Sequence, residues 1–412
     1  MRFDLIAVLL VIAALASYAN YRVLRLPTTI GLTLISLLLS LIVVVFGHLR
    51  WIDSAAAVSA VGALDFSGVL LHGMLAYLLF AGALHVDLAD LRTEALPVAI
   101  LATVGVFVTT AVVGTLVWGL ALLLGIELPL IYGLLFGALI APTDPIAVLG
   151  ILKQVSAPHS LQVRLTGESL FNDGVGVALF LTLLGVATSG EQPDLGHAAL
   201  VLLFEAAGGI VLGFVSGLSV YKLLGGVDEY PVEILLTIAL AAGVYALAEA
   251  IHVSAPIAVV VAGVLIGNHG RASAMSPKTR EHLDTFWELV DEILNAVLFV
   301  LIGLDVLLLR LSAVSLQVVM LAAGAIAIVL VGRIAGVLLP VFALRGMFPR
   351  GSVAVLTWAG LRGGISIALA LSLPDMPYRN TIVVCTYMVV VFSIAVQGLT
   401  LGRLLRRQAG CQ

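Results

Sequence analysis

Residues 137–180 read GALIAPTDPIAVLGILKQVSAPHSLQVRLTGESLFNDGVGVALF. The stretch sets Thr143 and Asp144 between Pro142 and Pro145, then gathers Glu168, Ser169, Asn172 and Asp173 in a second run. Both runs are otherwise apolar enough to lie in a membrane. A carboxylate in hydrocarbon costs at least about 2.5–3.5 kcal/mol on insertion scales, so ionisable groups kept at such positions point to function. How these two segments are read decides how the chain is read.

Composition agrees with a membrane setting. Of 412 residues, 61% are hydrophobic and only 11% charged, with mean hydropathy +1.19; a soluble domain carries about 25% charged residues. The chain therefore reads as an all-α polytopic membrane protein whose partner is the lipid bilayer, with no nucleic acid involved. The net charge of −4 says little, because placement of charge matters more than its sum. Cys385 lies in an apolar run and Cys411 in the tail, which leaves no disulfide framework or paired-cysteine metal site.

Apolar runs of membrane-spanning length, bounded by charge or turn signals, number about thirteen. They fall near 4–20, 28–46, 67–85, 96–124, 129–152, 165–188, 197–221, 231–250, 255–268, 290–309, 312–340, 351–373 and 380–402. The first is retained as a helix rather than a cleaved leader, because Arg2 and Asp4 make its start nearly neutral. Trp51 to Leu64 and Pro277 to Glu288 read as interfacial or loop helices, and no soluble domain follows the last span. The whole of 1–412 is thus one integral membrane unit.

Lys and Arg positions test this alternation, since cytoplasmic loops carry the excess. With the N-terminus outside and the C-terminus cytoplasmic, one side holds fourteen and the other four, namely Arg2, Arg50, Arg310 and Arg379. The remaining two of the 20, Arg333 and Arg362, fall inside apolar segments and need partners there. This placement is that of a multi-pass protein of the cell membrane.

Two spans are interrupted. In the fifth, Ala141-Pro142-Thr143-Asp144-Pro145 removes two backbone donors and disfavours helix before each proline. In the twelfth, Gly360-Leu361-Arg362-Gly363-Gly364 supplies similar freedom. Unwound backbone survives at membrane depth only inside protein or beside a wet cavity. Two broken helices in separate halves of a chain point to a secondary transporter with inverted repeats and a site at the midplane. Asp144 suits facing helix N-termini, and Arg362 suits facing C-termini.

Helical spacing sorts the sixth span. Ser169 and Asp173 share one face, Glu168 and Asn172 the adjacent one. A carboxylate with a hydroxyl beside it can take a hard cation through oxygen ligands, and no basic residue is left over to pair with Asp173. Glu168 reads instead as one half of a buried ion pair with Arg333. A lone carboxylate that is protonated when its cation leaves is the minimum equipment of a cation/proton exchanger. A channel would use charged rings or a carbonyl filter, and no repeated filter sequence is visible.

The pieces APTDPIAVLGILK, GESLFNDGVGVALF, FWELVDEILNAVLFVLIGLDV, GRIAGV and WAGLRGGISIALALSLP resemble the NhaP-type sodium/proton antiporters of the monovalent cation:proton antiporter-1 family, relatives of the animal sodium/proton exchangers. The resemblance spans nearly the whole chain in order. It implies thirteen helices in two inverted repeats and two crossed broken helices in a core domain near 129–152 and 351–373. It also implies scaffold helices that form a homodimer, and an elevator-like motion of the core. By the same resemblance, Asn172 and Asp173 are the family's Asn-Asp pair, Thr143 and Asp144 its broken-helix motif, Glu168 and Arg333 its ion pair, and Arg362 its dipole-compensating arginine. Na+ is then expected at Asp173, Asp144, Ser169 and the carbonyl of Thr143. An Asn-Asp pair resembles the electroneutral exchangers, one Na+ or Li+ for one H+, with no cofactor; a K+/H+ antiporter of similar fold is the alternative. Where some relatives carry a glutamate in the third span, Ala81 stands here.

Overall fold

A computed structural model describes residues 3–49, 62, 68–144, 148, 152, 158–189, 195–268, 270, 275–304, 315–344, 346–349 and 351–409. Among these residues all regular structure is helical, and eight helices are long and apolar enough to cross a membrane. Helices α1 (Phe3–Ala19) and α2 (Thr28–His48) open the chain. A π-helical stretch at Val69–Met74 leads into α3 (Leu75–Leu84), which buries Ala81. Next come α4 (Leu88–Thr93), α5 (Ala95–Ala102) and α6 (Val104–Leu123), the last two meeting at Thr103 within one apolar rod. Then follow α7 (Leu130–Ile140), α8 (His159–Ser189), α9 (Leu195–Leu224), α10 (Tyr230–Ala250) and α11 (Ala255–Leu265). The chain continues through α12 (Pro277–Leu304), α13 (Leu316–Ala343), α14 (Ser352–Trp358), α15 (Gly364–Ser372), α16 (Arg379–Phe392) and α17 (Leu399–Ala409).

Two packing centres hold these helices. In one, α6 lies between α7 and α13. The approach is close enough that a Cβ on Gly114 would meet the Leu134 backbone at 2.8 Å. In the other, α11 sits among α3, α9 and α10. There Gly209, Gly213 and Gly217 present a bare stripe to Ser254, Ala258 and Ala262, the small-residue packing that membrane helices use in place of a hydrophobic drive. Faces turned away from both centres are apolar and open, among them Leu203, Phe204 and Val211 on α9. Such faces are stable against lipid tails rather than water.

One expectation is corrected. Pro277–Glu288 is not a separate interfacial helix; it is the first half of α12, continuous to Leu304. Lys278, Arg280, Glu281 and Asp284 dilute hydropathy without breaking the helix, and Leu283 and Trp287 on the same stretch are buried. Trp287 Nε1 donates to Thr237 Oγ1 at 3.0 Å and its ring lies 4.8 Å from that of Phe80. The expected helix at Trp51–Leu64 apart from residue 62, Pro145, and parts of the fifth, tenth and eleventh spans lie outside the described residues.

Candidate functional site

Helix α7 stops at Ile140, two residues before Pro142, which has no N–H to donate to the preceding turn. Its terminal carbonyls are left without helical donors. Arg362 fills that gap: its Nη1 donates to the carbonyls of Ala141 and of Pro142, the latter at 3.0 Å. On the opposite side, α14 ends at Trp358 and α15 restarts at Gly364, so Ala359–Gly363 are non-helical. The two breaks touch directly, with Asp144 N–H donating to the Leu361 carbonyl at 2.8 Å.

Gly363 caps the N-terminus of α15, and a Cβ there would lie 2.5 Å from Asp144 Oδ2 and 2.9 Å from its Cγ. The Asp144 carboxylate therefore sits at the start of α15, while the Arg362 guanidinium sits at the end of α7. Acid at a helix N-terminus and base at a C-terminus each complement the helix dipole. Arg362 is 2% exposed. Its own N–H is held by Ser393 Oγ at 2.9 Å, and its Nη2 has no partner among the described residues.

Helix α8 brings the third wall. Thr143 Oγ1 and Ser169 Oγ lie 2.9 Å apart; Asn172 Nδ2 donates to Thr143 Oγ1 at 2.8 Å and Asn172 Oδ1 accepts from Thr143 N–H at 3.3 Å. Asn172 thus clamps the unwound Thr143 from both sides. Asp173, one residue on, is buried and within electrostatic range of Asp144. Among the described residues no hydrogen bond reaches its carboxylate. Hydroxyls, an amide and two carboxylates so converge where the two interrupted helices cross. The structure brings Thr143, Asp144, Ser169, Asn172 and Asp173 together there, with Arg362 beside them.

Glu168 is engaged by a different partner. Its Oε1 takes Arg333 Nη1 and its Oε2 takes Nη2 at 3.0 Å, a bidentate pair that buries both side chains. Arg333 Nε and Nη2 also donate to the Leu356 carbonyl on α14, at 3.2 and 3.0 Å. A Cβ on Gly360 would strike this guanidinium. The pair ties α8 to α13 and to the helix preceding the second break.

Several contributors carry no signal in the sequence. Ser393 and the Leu356 carbonyl belong to this kind, since neither stands in a charged or broken motif. Arg164, which reads as a loop residue, lies within α8 and is buried, with Nε donating to Glu94 Oε2 at 2.6 Å and Nη2 to the Met347 carbonyl at 2.9 Å. Asp291 is different, because its carboxylate at the start of the tenth apolar span is visible in the sequence; on α12 it is held by Asn295 Nδ2 at 3.0 Å and lies within electrostatic range of Asp144.

Comparison with known proteins identifies the lineage of this crossing. The family described as sodium/hydrogen exchanger, transmembrane, matches residues 9–407. The chain belongs to the sodium/hydrogen exchanger family. This exchanger-family chain is 48% identical over 408 residues to the Na(+)/H(+) antiporter NhaP of Pseudomonas aeruginosa, covering 98% of this chain and 96% of that one. It is 34% identical over 413 residues to the Na(+)/H(+) antiporter NhaH of Halobacillus dabanensis, covering 98% and 97%. The solved structure of the sodium proton antiporter MjNhaP1 from Methanocaldococcus jannaschii at pH 8 matches with a TM-score of 0.76 at 22% identity, over 97% of this chain and 96% of that one. The exchanger fold is therefore shared from end to end.

Proposed function

We propose that this protein is a secondary transporter, not an enzyme, that exchanges Na+ or Li+ for H+ across the cell membrane at a ratio of one to one. The observation that carries the reading is the convergence of Asp173, Asp144, Ser169 Oγ and Thr143, held by Asn172, at the crossing of two interrupted helices. A hard cation is held by oxygen donors, and deprotonated Asp173 supplies the charge. Protonation of Asp173 removes that charge, so cation and proton compete for one carboxylate. Glu168 is taken up by its ion pair with Arg333 and Asn172 carries no charge, which leaves Asp173 as the group that trades one proton for one cation.

In this scheme the site opens to one side with Asp173 carrying the cation and to the other with Asp173 protonated. The core domain with the crossed breaks moves like an elevator against scaffold helices in a homodimer. The N-terminus is outside, the C-terminus cytoplasmic, and the ion gradients drive exchange without a cofactor. Sealed proteoliposomes with an internal pH dye test the cation: Na+ or Li+ should collapse an imposed pH gradient, and Asp173→Ala, which still inserts and folds, should not respond. A gradient collapsed by K+ alone would replace Na+ as substrate at the same site. A fully active Asp173→Ala would refute the site.

A further inference from the structure

The turn between α1 and α2 lies apart from the crossing and has a construction of its own. Helix α1 runs on into a π turn at Asn20–Leu24. The Asn20 side chain is buried and braces the turn, its Nδ2 donating to the Leu26 carbonyl at 2.9 Å and its Oδ1 accepting from Leu26 N–H at 3.3 Å. Gly31 makes room for this brace, since a Cβ there would overlap the Asn20 amide. Arg25 is held at φ 53°, in the left-handed region that arginine rarely adopts.

The braced turn borders an open cavity of about 500 Å³ lined by Ser17, Asn20, Tyr21, Arg22, Arg25, Leu26 and Thr28. Among the described residues neither Arg22 nor Arg25 makes an ion pair or a side-chain hydrogen bond. Thr28, which opens the 21-residue helix α2 at the positive end of its dipole, lines the same space. Two guanidiniums and a helix N-terminus together favour a phosphate, which each arginine can grip through paired N–H donors. The surroundings indicate where that phosphate comes from. Tyr21 on the lining, and Tyr18, Val23 and Leu24 near it in the chain, stand exposed, and exposed tyrosines beside basic residues at the end of an apolar helix mark the headgroup level of a bilayer.

We infer that this pocket binds the phosphate of an anionic phospholipid, with Arg22 and Arg25 as the headgroup clamp and the exposed apolar side chains against the acyl chains. The test uses the full chain purified in detergent, read by thermal unfolding and by native mass spectrometry. The probes are phosphatidylglycerol, phosphatidylcholine and inorganic phosphate; the variants are Arg22→Gln with Arg25→Gln, and the charge-matched control Arg403→Gln with Arg406→Gln. Phosphatidylglycerol should protect the wild type and the control, and the affinity of the Arg22/Arg25 double variant for it should fall about thirtyfold, the worth of two basic residues at a membrane surface. If the double variant does not fold, each single variant should weaken binding about fivefold on the same basis. Retained protection in the Arg22 and Arg25 variants would overturn the inference, as would equal protection by phosphatidylcholine. Full protection by inorganic phosphate alone would overturn the lipid assignment.

Discussion

Glu168→Gln separates structural from transport duties within the buried polar set. The substitution keeps the shape but removes the negative charge opposite Arg333 and turns an amide N–H₂ or a single oxygen toward two guanidinium donors that now share one acceptor group. Glu168 has no exposed surface and Arg333 is 4% exposed, so water cannot replace the lost partner. Breaking a buried pair by removing one member costs about 3–5 kcal/mol. Unfolding entropy of roughly 2.1 cal/mol/K per residue gives roughly 0.9 kcal/mol/K over 412 residues, so the melting temperature should drop by about 3–6 °C. Thermal unfolding of the detergent-solubilised protein measures this, with proteoliposome exchange measured in parallel below the transition. Exchange should persist in the fraction that remains folded. Replacing both residues by leucine should recover part of the loss, because no charge is left stranded, although the Leu356 carbonyl then loses its donors. A Glu168→Gln protein that melts with the wild type yet does not exchange ions would refute the reasoning and make Glu168 a transporting residue.

Further expectations follow from the same geometry. Asp173→Ala should abolish exchange while leaving the melting temperature unchanged or raised, since it removes a buried carboxylate with no hydrogen bond among the described residues; thermal unfolding and flux measured on one preparation check both parts. Gly363→Ala places a Cβ 2.5 Å from Asp144 Oδ2, an overpacking worth about 1–3 kcal/mol, and should raise the KM for Na+ more than it lowers folded yield. Because proton and cation compete for Asp173, the apparent KM for Na+ should rise about tenfold for each unit of pH below the carboxylate's titration; a KM independent of pH on the acid side would contradict competition. Gly213→Leu should separate α9 from the Ala258 backbone of α11 and cut the yield of folded protein on size-exclusion chromatography.

The helices were legible because hydropathy and spacing carry them: α8, α10 and α13 run close to the apolar segments that mark them. The two breaks were legible for a different reason, since Pro142 and the glycines from Gly360 to Gly364 dictate backbone conformation wherever they occur. Helix α12 was misread at its start because a window that scores hydropathy cannot distinguish a polar half-helix from a loop, although Leu283 and Trp287 at helical spacing were already turned inward. The candidate site was legible in its titratable members, whose cost in hydrocarbon announces them. Its supports were not. The Leu356 carbonyl is a backbone atom with no side-chain signature, Ser393 is one hydroxyl among many, and the clamp of Asn172 on Thr143 depends on the crossing that brings α8 to the break. Arg164 and Glu94, seventy residues apart, illustrate the same limit: pairing across the fold leaves no local pattern.

Voltage tests the central claim, that one carboxylate trades one proton for one Na+. In proteoliposomes carrying an imposed pH gradient, Na+-driven dissipation is followed with the membrane potential clamped at zero and at opposite signs by K+ and valinomycin. The account predicts the same rate at every potential, because each cycle moves one positive charge in each direction. A rate that follows the clamped potential would mean that charge crosses in every cycle, and a second titrating group beside Asp173 would then have to be found.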